Sequence, residues 1–102
     1  MTDNKKDKKR TETNEIFIGN KPFMKYVIAT MIQLEQKGSV IIKARGKFIS
    51  RGVDVAEVVK KRIKEKDNTI LSQEITIGTD EFEGEEGKHI NVSTIDISLN
   101  RN

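Results

Sequence analysis

The apolar residues in the first third of the chain change their period from two to nearly four. Residues 15–18 alternate and are rich in β-branched and aromatic side chains, which predicts a short strand that ends at Gly19. The apolar residues that follow recur at helical spacing and are Met24, Val27, Ile28, Met31 and Ile32. They predict a helix over residues 22–36, with Pro22 in its first turn, Asn20 as its cap and Gly38 at its end.

The segment SVIIKARG, which begins at Ser39, predicts a second strand with two chemically different faces. One face carries Val40, Ile42 and Ala44, and the other carries Ile41, Lys43, Arg45 and, if the strand continues, Lys47. A second helix is predicted over residues 52–65, with Ser50 as its cap and Asp54 near the positive end of its dipole. Its apolar stripe consists of Val55, Val58, Val59 and Ile63.

Two further strands are predicted in the last third of the chain, separated by a polar, acidic segment. The first places Leu71, Ile75 and Ile77 on one face, together with Gln73. In the second, Ile90 and Val92 have one parity and Ile95, Ile97 and Leu99 have the other. Either a bulge near Ser93 or Thr94 or an outer segment that projects beyond the core explains this change. Residues 79–88 predict a long exposed hairpin loop, and the order of elements is β-α-β-α-β-β.

Length and composition favour one small soluble intracellular domain. The chain has 102 residues and no cysteine, which excludes disulfides, zinc–thiolate sites and thiol nucleophiles. It has no apolar run of about 20 residues, so no membrane association is expected. The only histidine, His89, has no partners for a catalytic triad or a metal cluster. We therefore expect no enzymatic activity, no catalytic residues, no metal and no cofactor.

Charge is distributed unevenly along the chain. Residues 15–66 contain twelve Lys or Arg against five Asp or Glu, whereas residues 67–102 contain two against eight. A localised cationic surface of this kind favours a polyanion such as nucleic acid, and an acidic protein or a membrane surface are the rivals. Residues 1–14 are polar and basic and predict a disordered tail, which is either an electrostatic arm or a solubilising segment.

The strand face with Lys43, Arg45 and Lys47, together with Arg51 at the next helix, is suited to phosphates. Lys21 and Lys25 add cations where the first helix begins and backbone N–H groups are free. The alternative is a solvated strand face without a partner. Aromatic residues make up only 5% of the chain, which argues against a platform that stacks bases.

Three separated segments resemble the Alba family of archaeal DNA- and RNA-binding chromatin proteins: IFIGNKPFMKYV, IIKARGKFISRGVDVAEVVKKR and VSTIDISL. The resemblance covers residues 15–99. It implies an α+β two-layer sandwich similar to the C-terminal domain of translation initiation factor three. It also implies a homodimer whose basic centres lie across a DNA duplex while two β-hairpin arms follow the minor groove.

The resemblance places the basic centre on Lys21, Arg45 and Lys47, with Arg51 nearby. Many relatives have a lysine pair before the helix proline, one of which is a site of acetylation that weakens DNA binding; here the pair is Asn20-Lys21. Relatives often have a basic arm, whereas residues 79–89 hold five acids against Lys88. Some relatives have a phenylalanine where dimers meet along DNA, and the matching residue here is Ile63.

Residues and resemblance together predict a dimeric chromatin protein, in the cytoplasm and associated with the chromosome, that binds double-stranded DNA through phosphates with low sequence specificity. The expected nucleic-acid contacts are Asn20, Lys21, Lys25, Lys43, Arg45, Lys47, Arg51 and Lys88. One alternative is an RNA-binding protein, active in RNA stabilisation or as a ribonuclease P-type subunit. Another is a protein-interaction scaffold that uses the acidic hairpin.

Overall fold

The protein folds into two layers, a four-stranded sheet and two helices that pack on one face of it. The computed structural model describes residues 14–101. The strands are β1 (Glu15–Phe17), β2 (Ser39–Arg45), β3 (Ser72–Glu83) and β4 (His89–Asn100), and the helices are α1 (Phe23–Lys37) and α2 (Ile49–Asp67). The sheet has the order β1-β2-β4-β3. This confirms the predicted α+β sandwich and its order of elements. The tail predicted over residues 1–14 lies outside the described residues except for Asn14.

The core lies between β2, β4 and the two helices, and the register of the strands explains it. Val40, Ile42 and Ala44 of β2 pair with Leu99, Ile97 and Ile95 of β4, and all six are buried. Leu34 and Val27 of α1 and Val55 and Val59 of α2 close the core from the helix side. Within residues 14–101, no helix packs on the opposite face of the sheet. Asn14 already belongs to the fold, since its carbonyl accepts a hydrogen bond from the N–H of Ile41 at 2.8 Å.

Neither helix begins at the residue that was predicted to cap it. Pro22 is the N-cap of α1 and makes no side-chain capping bond, so the prediction of Asn20 as cap was wrong. α2 begins at Ile49, directly after a 3₁₀ turn over Gly46–Phe48, so Ser50 lies inside the helix. The beginning of α2 lies close to β2, since a Cβ on Gly52 would lie 3.0 Å from the Cβ of Ala44. The absence of a side chain at Gly52 lets the first turn of α2 lie against β2.

The buried stripe of α1 also differs from the predicted one. Val27 is buried and Met31 half-buried as expected, but Met24, Ile28 and Ile32 are exposed. Tyr26, Thr30 and Leu34 are buried in their place. Two overlapping stripes satisfy the 3.6-residue period, and packing against β2 selected the second of them.

β3 and β4 continue beyond the rest of the sheet as a two-stranded ribbon, residues 79–93, here called the arm. The pairing runs without a break from Ser72 opposite Asn100 to Glu83 opposite His89, so there is no bulge. β2 ends opposite Thr94, so the arm projects beyond it. The change of parity between Ile90 and Ile95 therefore reflects an outer segment that projects beyond the core, which was the second of the two predicted explanations. The long loop predicted over residues 79–88 was wrong, since only residues 84–88 connect the strands. The radius of gyration is 15.4 Å, whereas a compact chain of this length has about 12 Å.

Candidate nucleic-acid interface

Cationic residues converge at the edge of the sheet where β1 and β2 end. The two strands are parallel, so their carboxyl ends lie together, and each leads directly towards a helix. The amino ends of α1 and α2, with their positive dipole ends and free N–H groups, therefore lie at the same edge. We call the cations at this place the basic edge, and they are Lys21, Lys25, Arg45, Lys47 and Arg51.

A buried tyrosine fixes the loop between β1 and α1. The hydroxyl oxygen of Tyr26 accepts hydrogen bonds from the backbone N–H of Gly19 at 2.8 Å and of Lys21 at 2.9 Å. Arg51 then donates from Nη2 to the carbonyl oxygen of Lys21 at 3.2 Å, which ties the start of α2 to the same loop. The sequence analysis did not identify this positioning role of Tyr26, which depends on a hydrogen bond that no local pattern reveals.

The strand face that the sequence predicted as cationic is largely neutralised. Lys43 Nζ lies 2.8 Å from Asp96 Oδ2, and Arg45 Nη1 lies 2.9 Å from Asp80 Oδ2. The hydrogen bond to Asp96 raises the pKa of Lys43 above its ordinary value of 10.5. Both acids come from β3 and β4, whose placement beside β2 was the missing information. Lys43 and Arg45 must therefore exchange a carboxylate for a phosphate if they bind nucleic acid.

The other cations of the basic edge have no such partner. Among residues 14–101, no carboxylate lies within ion-pair distance of Lys21, Lys25, Lys47 or Arg51. Lys47 does not extend the strand, because β2 ends at Arg45 and Lys47 lies in the 3₁₀ turn, with Nζ 5.4 Å from the centroid of the Phe48 ring. Phe48 is half-buried against the core. These four cations form the part of the surface most available to an anion.

The remaining two predicted contact residues are placed differently. Asn20 is exposed in the same loop as Lys21 and so belongs to the basic edge by position. Lys88 lies at the tip of the arm, six residues before Thr94, which at about 3.4 Å per residue is roughly 20 Å away. The structure thus brings Lys88 together with the acids of the arm rather than with the other cations.

The arm is acidic on its exposed surface. It carries Asp80, Glu81, Glu83, Glu85 and Glu86. His89 lies in β4 with Nε2 3.3 Å from Glu81 Oε1. Within residues 14–101, no cluster of His, Asp and Glu is grouped closely enough to hold a metal ion. The arm therefore presents negative charge, which phosphate groups repel.

The burial of Ile63 limits the contacts that α2 can make with a neighbouring molecule. Ile63, the residue that the resemblance matches to a phenylalanine at contacts between dimers, is only 3% exposed and belongs to the core. Its side chain is therefore not accessible to a neighbouring molecule.

Neither of the described helices is both long enough and apolar enough to cross a bilayer.

Comparison with known proteins identifies a single family among the similar sequences and structures. The sequence model of the Alba family matches residues 14–79. The chain is 49% identical over 88 residues to the "DNA/RNA-binding protein Alba" of Methanococcus maripaludis, covering 84% of this chain and 96% of that protein. It is 47% identical over 87 residues to the protein of the same name from Nitrosopumilus maritimus, covering 85% and 90%. The structure of Alba from Thermoplasma volcanium superimposes with a TM-score of 0.73 at 43% identity, covering 86% of this chain and all of that one.

Proposed function

Since the chain belongs to the Alba family, we propose that it is a non-enzymatic chromatin protein that binds duplex DNA as a homodimer. Relatives named as DNA/RNA-binding proteins support the general activity. The basic edge supports the mode of binding, because Lys21, Lys25, Lys47 and Arg51 have no carboxylate partner among the described residues. Association with the chromosome, and hence a cytoplasmic location, follows from the proposal.

Binding through the basic edge implies low sequence specificity. Lysine ammonium groups and helix amino ends recognise phosphate oxygens, which are the same at every base pair. The chain offers few aromatic side chains for stacking, and the projecting arm is too acidic to enter a minor groove strongly. Phosphate contacts therefore account for most of the affinity, and base contacts contribute little.

An uncovered apolar strip supports the homodimer. Ile75 and Ile77 of β3 pair with Ile97 and Ile95, so they point to the helix side of the sheet, yet they are 52% and 76% exposed. Ile70, just before β3, is also exposed. β3 is an edge strand, and such a strand with apolar side chains is usually covered by a partner. A two-fold axis along this strip would bury it against its own copy and would place two basic edges on one assembly.

The salt dependence of DNA binding tests the function. Each neutralised phosphate contributes about −0.9 to the slope of log affinity against log salt. On a duplex of random sequence, Lys47→Ala should lower the affinity and make the slope shallower by about 1.8 for a dimer with two copies of the contact. Lys37→Ala is the matched control, because Lys37 is exposed at the far end of α1, about 21 Å from the amino end. Equal effects of the two substitutions would remove the basic edge from the binding surface.

Two more measurements separate the alternatives. Competition between duplex DNA and structured RNA of equal length decides which polymer is preferred, and a preference for RNA would replace the DNA assignment with an RNA-binding one. Sedimentation of Ile77→Asp tests the dimer. A monomer is expected, because the carboxylate would be desolvated in the interface, and an unchanged dimer would place the two-fold contact elsewhere.

A further inference from the structure

The arm has an apolar face that no other element of residues 14–101 covers. Phe82 and Ile90 are directly opposite each other on the two strands and point to the same face, where they are 42% and 37% exposed. Glu81 and Glu83 flank them on the other face, and Glu85 and Glu86 form the tip. The arm thus combines an aromatic side chain with an acidic rim, which is the composition of a docking element rather than of a solvated loop.

A groove of opposite charge lies between the two helices. It has an open volume of about 600 Å³ and is lined by Met31 from α1 and by five residues of α2. Met31 and Val58 provide apolar surface, and the charged lining is net positive, with Lys61, Arg62 and Lys66 against Glu65. Lys66 also lies 3.6 Å from Glu35 of α1, so one of the cations is partly engaged. Lys61 and Arg62 make no ion pair with any carboxylate of residues 14–101.

The arm and the groove lie at opposite ends of the molecule. The arm extends past the end of β2 at Arg45, because Thr94 of β4 pairs with Arg45 and the arm precedes Thr94. α2 begins at this same end and runs away from it, so Lys61 and Arg62 lie about 20 Å along the helix axis. The carboxyl end of α2 is held at the far end by Arg101, whose Nη2 lies 2.8 Å from Asp67. The groove of one chain is therefore out of reach of its own arm.

We propose that the acidic arm of one copy docks into the groove between the helices of a second copy, with Phe82 against Met31 and Val58 and the arm carboxylates against Lys61 and Arg62. The occupant follows from complementarity of both charge and hydropathy, since arm and groove each pair an apolar centre with a rim of opposite sign. The contact goes beyond the proposed function and does not involve the basic edge.

A contact between different surfaces of identical chains propagates. Its two halves are different surfaces, so the assembly keeps a free arm and a free groove after every addition unless the rotation between copies closes a ring. Repeated docking would align molecules at a regular spacing without any contact from the side chain of Ile63, which is buried. Because the rim contacts are exposed ion pairs, salt should weaken the assembly, with a screening length of about 8 Å at physiological ionic strength.

Charge reversal tests the proposal in the full-length protein without nucleic acid. Glu85→Lys/Glu86→Lys reverses the tip of the arm, and Lys61→Glu/Arg62→Glu reverses the groove. At low salt, sedimentation velocity should show that association beyond the homodimer is at least tenfold weaker for each variant alone than for the wild type. An equimolar mixture should recover it, because each reversed surface then meets a complement on the other variant. Gln36→Glu/Lys37→Glu, on an exposed part of α1, controls for the added negative charge and should associate like the wild type.

The outcomes separate this contact from DNA binding. Failure of the mixture to associate, or wild-type association by either reversed variant, would overturn the proposal. Loss of DNA affinity by the groove variant with unchanged self-association would instead assign the groove to nucleic acid and would also overturn it. The proposed DNA function depends on the basic edge and stands or falls by the substitutions at Lys47, which leave both the arm and the groove intact.

Discussion

The ion pair between Arg45 and Asp80 predicts that removal of an acid should improve DNA binding. Asp80 belongs to the acidic arm, and its Oδ2 forms an ion pair with Nη1 of Arg45, a cation of the basic edge, at 2.9 Å. A phosphate that binds Arg45 must displace this carboxylate. Asp80→Asn keeps the size of the side chain and removes the charge, so Arg45 becomes available and the local repulsion of phosphate falls.

The magnitude follows from the exposure of the pair. The two side chains are 60% and 49% exposed, and a pair of this kind contributes about 0.2–1 kcal/mol. Removal of that competing interaction should raise the affinity by between about 1.4-fold and fivefold per protomer. A dimer that uses both copies should bind roughly twofold to thirtyfold more tightly, and its salt slope should steepen by up to about 1.8.

Fluorescence anisotropy with a labelled random-sequence duplex of about 30 base pairs, roughly three helical turns, provides the assay. The decisive comparison is a double-mutant cycle of Asp80→Asn, Arg45→Ala and both together. Since the carboxylate acts on Arg45, Asp80→Asn should tighten binding in the wild type and do much less in the Arg45→Ala background. Glu83→Gln removes a charge from the same arm and is the matched control. An equal gain in both backgrounds, or an equal gain from Glu83→Gln, would refute the role of the pair.

Three other substitutions test the fold that supports the interface. Tyr26→Phe removes the acceptor of two backbone N–H groups, so it should cost about 1–3 kcal/mol of unfolding free energy in urea and lower DNA affinity beyond that expected from stability alone. Leu34→Ala, at a fully buried site, should cost about 2–5 kcal/mol by the same measurement, whereas Ile32→Ala on the exposed side of α1 should cost much less. Because the pKa of Lys43 is raised, its bond to Asp96 stabilises the fold fully below about pH 10.5, and this stabilisation is lost as pH rises through the folded-state pKa. Lys43→Gln should therefore reduce the loss of unfolding free energy at alkaline pH, measured by urea titration. An unchanged pH profile would contradict this.

Local patterns were sufficient for the order of helices and strands, because these elements depend on local periodicity, whereas the two-layer sandwich was implied by the resemblance to the Alba family. The alternation in β2 and the stripe of Val55, Val59 and Ile63 in α2 each specify an element and its buried face, and all of these residues are buried as predicted. The αL residue Gly38 ends α1, as its freedom at positive φ predicts. Capping residues were less reliable, since Ser50 lies inside α2 and makes no capping hydrogen bond at its start.

The sequence by itself determined which residues are cationic and which elements carry them, because side-chain charge and period are local properties. Only the tertiary structure decided which cations remain available, since an ion pair requires two segments that are distant in sequence. The carboxylates of Asp80 and Asp96 reach β2 only when β4 lies between β2 and β3. The same packing gathers Lys21, Lys47 and Arg51 at one edge, because two parallel strands end there and two helices begin. Electrostatics acts through space, so the functional surface depends on the topology of the sheet more than on the order of the charges along the chain.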